Sequence, residues 1–287
     1  MLWLEMEYLY LRGVIILSKL VCSGNSISDI EELVLKDING VILYIDKLSV
    51  NSSFYIDIDD IDKIDYKDKE LFICMNKIMH NSDLIYLREC LNKIKDKDVH
   101  IMFYDMAVYN IAKELGIINK LVIYQDHLNA SILSNKFYNR LGIKYSFITS
   151  DITMDELLMI KRNVSSKIMF LGYGYLPIFY SRRYLVSNYL KYIDRFDGQN
   201  SNYKIVSDMD KKYNIMEEEY GTTIYTDREI NLINYMDQLD EIDYIVMNSN
   251  MIEHDKYIMM VDKFIKREKM DDCYVGFLNK KTIYKVK

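Results

Sequence analysis

The chain has 287 residues, half of them apolar and 28% charged, and a formal net charge of −6. It holds one proline, Pro177, where average usage would give roughly 14. These figures exclude a Pro-rich stalk or a collagen-like segment, and they weigh against an electropositive surface that binds nucleic acid unaided, although a local basic patch stays compatible. Ten glycines and three alanines beside 26 tyrosines fit AT-rich codon usage, so the shortage of Pro and Gly says little about structure.

In chain order, short apolar runs alternate with amphipathic segments. A strand is predicted over 14–22, then a helix over 28–36 with Ser28 as cap and Glu31 three residues on. Further strands are predicted over 40–45, 71–75, 100–103, 121–124, 144–148, 167–171 and 244–247. Helices are expected over 82–95, up to Gly116, up to Gly142, over 153–162 with a Thr153/Glu156 capping box, and over 254–266. Strands that are continuously apolar, with no period of two, are covered on both faces and therefore pair in parallel. Eight such strands with intervening helices point to an α/β fold, a TIM-barrel-like (β/α)8 domain spanning 1–287. The alternative is an open doubly wound sheet. The rhythm breaks over about 173–240, a polar, tyrosine-rich stretch with strand-like pieces at 204–206 and 222–225. It reads as an insertion between strands seven and eight, on the rim where barrel enzymes carry their chemistry.

Cys22, Cys74, Cys90 and Cys273 show no CxxC spacing. Buried free thiols in a reducing cytosol are the expectation. The apolar run 14–20 is too short to span a membrane, and its flanks carry Glu5, Glu7 and Arg12, unlike a secretory leader. A cytoplasmic protein away from membranes is expected.

No nucleophile elbow, zincin motif, dinucleotide fingerprint or P-loop is present. His100 begins a strand and His254 a helix, which suits structural roles, whereas His80 and His127 follow strand ends and so reach the rim. Polar groups at strand ends also include Asp46, Asn76, Asp105, Asp126 and Asn129. Carboxylates there can act as acid and base or hold a cation, or Asp105 and Asp126 can simply cap the following helices. A triad of Ser181, His80 or His127, and Asp105 can be drawn, so His80, Asp105 and Ser181 stand as catalytic candidates. Asn76, Asp126, His127, Tyr173, Tyr180, Arg182 and Arg183 stand as binding candidates. The Arg pair, flanked by tyrosines, suits a carboxylate, a phosphate or a stacked base, or else pairs with the acidic cluster 217–219. No metal ligands are assigned. A divalent metal stays open.

The segment Gly172-Tyr-Gly-Tyr-Leu-Pro177-Ile-Phe-Tyr-Ser181-Arg-Arg-Tyr184-Leu-Val-Ser187 resembles the signature of the collagenase-like peptidases, peptidase family U32. Cys74-Met-Asn76-Lys-Ile-Met-His80, Leu128-Asn-Ala-Ser, Thr149-Ser-Asp-Ile-Thr-Met-Asp-Glu156-Leu, Gly221-Thr-Thr-Ile-Tyr225 and Gly276-Phe-Leu-Asn-Lys-Lys-Thr-Ile-Tyr284 resemble other family segments in the same order. The resemblance implies a TIM-barrel-like core and, by the family's name, peptide hydrolysis on a peptide substrate. Other members hold a four-iron cluster through cysteines and hydroxylate ubiquinone precursors or RNA bases. Here Pro177 and Tyr184 stand where those members place the first two signature cysteines. No iron–sulfur cluster, and no other cofactor, is therefore expected. The pattern is similar to the short, cluster-free bacterial members. For these the resemblance implies a partner subunit, working beside a longer paralogous member and tRNA in wobble-uridine 5-hydroxylation. A non-catalytic barrel scaffold is the third reading.

Overall fold

The computed structural model describes residues 17–196, 203–206 and 212–280. Eight parallel strands close on themselves as an α/β TIM barrel: β1 (Lys19–Ser23), β2 (Gly40–Tyr44), β3 (Glu70–Met75), β4 (His100–Phe103), β5 (Leu121–Tyr124), β6 (Tyr145–Phe147), β7 (Lys167–Gly174) and β13 (Tyr244–Met247). Closure runs through β7, which pairs with β6 (Tyr145 opposite Lys167) and with β13 (Tyr244 opposite Met169). All five residues of β2 and all four of β5 are buried. That two-sided burial is the physical origin of their unbroken apolar sequence. Residues 14–16 of the first predicted strand, and residues 281–284 of the last family-like segment, lie outside the described residues.

Helices α1 (Ile27–Val34), α2 (Leu84–Ile94), α3 (Met106–Glu114), α4 (Ile132–Arg140) and α5 (Met154–Asn163) connect successive strands. The N-cap of α1 is Ser26, not Ser28: its Oγ accepts the Asp29 N–H at 3.1 Å, so the helix starts two residues earlier than its apolar pattern suggests. The Thr153/Glu156 box on α5 forms as expected. α4 is turned inside out. Its one buried side chain is Asn135, while Leu133 and Phe137 are 75% and 50% exposed.

The insertion begins after β7, which runs three residues beyond its predicted end. It forms a second, antiparallel sheet in the order β8 (Pro177–Ser181), β11 (Gly221–Tyr225), β10 (Lys212–Glu218), β9 (Tyr203–Val206), with helix α6 (Leu185–Tyr192) after β8. The chain returns through β12 (Ile230–Asn231), antiparallel to the end of β7, and α7 (Met236–Leu239), then enters β13 and α8 (His254–Lys266). Gly174 fits this exit from the barrel: its φ is +136°, and a Cβ there would come within 2.7 Å of the Asn248 carbonyl oxygen.

At the barrel's N-terminal face, His100 stacks on Phe72 with ring centroids 4.6 Å apart and lies 3.4 Å from Glu70. Burial alone would raise the Glu70 carboxyl, but bonds from His100, Lys19 and Tyr244 bring it down to about 2. His254 pairs with Asp29 and Glu32 at 3.2 and 3.4 Å. His100 lies at the end of the barrel opposite the rim, and His254 opens α8 against α1, so both contact carboxylates of neighbouring elements.

Candidate functional site

Because the strands are parallel, all their C-terminal ends meet at one face, and the first residues beyond them are forced together. Tyr104 follows β4, Asp126 and His127 follow β5, Asn76 and Ile78 follow β3, and β8 of the insertion lies across them with Pro177, Phe179 and Tyr180. With Val50, Asn51 and Tyr124 they line a small cleft whose enclosed space is about 20 Å³.

The polar centre of the cleft is a three-residue relay. His127 Nδ1 lies 3.0 Å from Asp126 Oδ1, and His127 Nε2 lies 3.2 Å from the Tyr104 hydroxyl. Asp126 is 6% exposed. A buried carboxylate on Nδ1 fixes the neutral tautomer: Nδ1–H donates to Asp126, leaving Nε2 to accept from Tyr104. The hydrogen bond to Asp126 raises the His127 pKa above its ordinary value, against the opposing effect of burial. The Tyr104 hydroxyl is raised as well, by burial and by the Asp126 charge. The relay can therefore give or take a proton at the cleft.

Four of the sequence-selected residues converge here: Asn76, Asp126, His127 and Tyr180. Asn76 acts on the wall. Its Oδ1 accepts from Val50 N at 2.9 Å and its Nδ2 donates to Val50 O at 3.1 Å, which pins the loop after β2. Tyr180 donates to the Tyr220 carbonyl at 2.8 Å, and burial pushes its hydroxyl up to about 12. The others lie elsewhere. Asp105 caps α3, accepting from Ala107 N at 2.8 Å and Met79 N at 3.0 Å. His80 is exposed, its backbone N–H bonded to Asp83 at 2.7 Å. Ser181 accepts from Arg183 N at 3.3 Å, and among the described residues no hydrogen bond joins it to His80, His127 or Asp105. Tyr173 is 2% exposed, within 6.4 Å of the Tyr257 ring and 6.3 Å of Phe264, in the packing between sheet and α8.

The Arg pair does not bind the acidic cluster among the described residues. Glu217 instead accepts from Val186 N at 2.8 Å and Ser187 N at 3.1 Å, satisfying the free N–H groups that open α6. Glu218 accepts from the Tyr55 hydroxyl at 2.7 Å, and burial raises its carboxyl. Arg183 is exposed. Arg182 helps hold the Asp83 carboxyl below its ordinary range, against burial and after its bonds from His80 and Lys77, and the Arg182 Nη1 is buried with no hydrogen-bond partner among the described residues.

Sequence reasoning passed over two residues. Tyr104 is one of 26 tyrosines and carries no local contrast. Lys77, 2% exposed, pairs with Asp83 at 3.3 Å and lies 4.3 Å from the Tyr220 ring centroid. Its only signal is its place directly after the strand-end Asn76.

Among the described residues the cleft lining holds no Ser, Thr or Cys. Three cysteines are buried, on β1, β3 and α2, and the fourth, Cys273, follows α8. Burial pushes the thiols of Cys22 and Cys90 up to about 12 and 11, far from the thiolate a nucleophile or metal ligand requires. No three His, Cys, Asp or Glu side chains among the described residues are grouped to hold a metal. The cysteine set thus does not fit a four-iron cluster. No described helix is long and apolar enough to cross a membrane.

The tRNA hydroxylation protein P2 of Bacillus subtilis (strain 168) is 26% identical over 213 residues, covering 71% of this chain and 68% of that protein. Among solved structures, N-(5'-phosphoribosyl)anthranilate isomerase from Pyrococcus furiosus aligns with a TM-score of 0.46 at 10% identity, over 88% of this chain and 98% of that one. Thiamine phosphate pyrophosphorylase from the same organism aligns at 0.45 and 9%, over 88% and 96%. Likeness so distant says nothing about ligand or reaction. The family model for peptidase family U32 matches residues 58–279, from the turn before β3 to the last described segment, and the chain belongs to that family.

Proposed function

We propose that this chain takes part in tRNA hydroxylation, as a cluster-free subunit acting beside a longer, cluster-bearing paralogue in 5-hydroxylation of the wobble uridine. The observation that carries the reading is the similarity to a tRNA hydroxylation protein across most of both chains. Two features of the chain support it. Pro177 and Tyr184 stand where related members place cysteines, so oxidative chemistry would belong to the partner. Among the described residues the cleft lining holds no Ser, Thr or Cys to act as nucleophile, and it offers an aromatic wall with one proton relay. Peptide hydrolysis, the other reading of the family, needs an activated nucleophile or metal-bound water, and nothing in the lining favours it.

In this role Phe179 and Tyr104 offer faces for a planar ring, and Asn51 and His127 offer hydrogen-bonding groups for its polar edge. The Asp126–His127–Tyr104 relay orients the ring and holds or moves a proton at His127 Nε2. The protein would act in the cytoplasm, where tRNA is modified. Nucleoside mass spectrometry of tRNA from a strain lacking this gene tests the reading. Loss of 5-hydroxyuridine derivatives is expected, and unchanged levels would overturn it.

A further inference from the structure

An acidic protein that handles RNA needs a local surface suited to it, and the insertion carries one. No residue of α6 is buried. Tyr189 and Tyr192, one helical turn apart, are 62% and 86% exposed, and Tyr184 and Phe196 flank them at 46% and 44%. Arg183, Lys191 and Arg195 are exposed on α6 and its flanks. Lys191 Nζ lies 4.8 Å from the Phe196 ring centroid. From 180 to 206 the sequence has five basic residues (Arg182, Arg183, Lys191, Arg195, Lys204) against two acidic ones (Asp194, Asp197), in a chain whose net charge is −6. Among the described residues Glu217 pairs with none of these cations; it accepts from the N-terminal amides of α6.

Aromatic rings standing in water between cations are what an unpaired polynucleotide recognises: bases stack on the rings and phosphates meet the cations. A duplex hides its base faces and would use only the charges. A protein interface core, by contrast, is depleted of lysine. Through Arg182 and Arg183, α6 follows directly on β8, the strand that lines the cleft.

We infer that α6 and the residues flanking it bind an unpaired RNA loop, with Tyr189 and Tyr192 stacking bases and Arg183, Lys191 and Arg195 contacting phosphates. The inference rests on the tRNA reading above and names the surface through which that RNA is held.

Fluorescence anisotropy at low salt tests it, using the full chain, a labelled anticodon stem-loop and a fully paired RNA of equal length. The stem-loop should bind more tightly than the duplex. Tyr189→Ala with Tyr192→Ala should weaken stem-loop binding about ten-fold or more, with unchanged circular dichroism because both side chains are exposed. Lys191→Gln with Arg195→Gln should flatten the slope of log K against log salt by about 1.4, about 0.7 for each cation on a single strand. No binding by the unsubstituted chain, equal binding of the duplex, or affinity unaffected by the Tyr pair would overturn the inference. So would variants that keep RNA affinity but lose a co-expressed longer paralogue, since the surface would then be a protein interface. A failed tRNA reading shows elsewhere, as undiminished hydroxyuridine in the deletion strain, so the two failures are distinguishable.

Discussion

Asn135 is the buried polar anchor of an otherwise inverted helix, and removing its amide should be felt throughout the rim. Its Nδ2 donates to Asn129 Oδ1 at 2.9 Å and to Ser131 O at 2.8 Å, and its Oδ1 accepts from Asn129 Nδ2 at 3.2 Å. Both side chains are at most 1% exposed. In Asn135→Ala, Asn129 Nδ2 keeps the Phe147 carbonyl at 3.0 Å, and Ser131 O keeps the Asn135 N–H at 3.2 Å. Asn129 Oδ1 loses its donor. An orphaned buried acceptor costs about 1–3 kcal/mol and the other lost bonds about 1 kcal/mol. Alanine's better helix propensity returns about 0.5 kcal/mol. The net expectation is a loss of about 1.5–3.5 kcal/mol. Equilibrium urea unfolding followed by circular dichroism measures it, with an unchanged m-value. Asn129→Ala with Asn135→Ala removes both facing amides, so neither is orphaned and only the Phe147 carbonyl loses its donor. The double substitution should therefore cost at least about 1 kcal/mol less than the sum of the singles. A single-substitution loss under about 0.5 kcal/mol, or strict additivity, would refute the reasoning.

Two further outcomes follow from the site. The His127 ring should titrate above its ordinary value of about 6.5 by NMR, and Asp126→Asn should bring it down, since burial is then opposed only by the more weakly acting Asp151. A raised folded-state value means the protonated pair stabilises the fold below that ordinary value, and the contribution disappears as pH rises through the raised one. The stability gap between the chain and Asp126→Asn should therefore narrow across that window, and identical titrations would contradict the relay. Gly221, at φ +137°, leaves no room for a side chain: a Cβ would overlap the Ser181 carbonyl oxygen and lie 2.8 Å from Arg182 Cα. Gly221→Ala should cost about 1–3 kcal/mol in backbone strain, loosen β8 from β11 and expose the Arg182 and Arg183 bonds to trypsin. Cleavage at the unsubstituted rate would count against that packing.

How much of this was legible in the sequence follows from where the physics is local. The barrel strands show themselves because two-sided burial leaves an unbroken apolar run, as in Val41-Ile-Leu-Tyr44. The capping box at Thr153 and Glu156 is readable because both partners lie within one turn. Ser26 and Ser28 differ only in which starts the turn, and periodicity favours the wrong one. Asp105 and Asp126 look alike, each just beyond a strand end, but one closes a helix and the other holds a histidine. The distinction rests on Tyr104, 23 residues before His127, which joins them only once β4 and β5 pair. The insertion announces itself by breaking the rhythm. Its sheet order does not, because antiparallel pairing of β8 with β11 spans about forty residues with no local signal.

The most direct test of the central claim, that this rim serves tRNA hydroxylation, is the 5-hydroxyuridine content of tRNA from the deletion strain complemented with either the unsubstituted chain or Asp126→Asn. At matched protein levels, the unsubstituted chain should restore the modification and Asp126→Asn should leave it deficient. Full restoration by Asp126→Asn, or undiminished modification in the uncomplemented strain, would contradict the account.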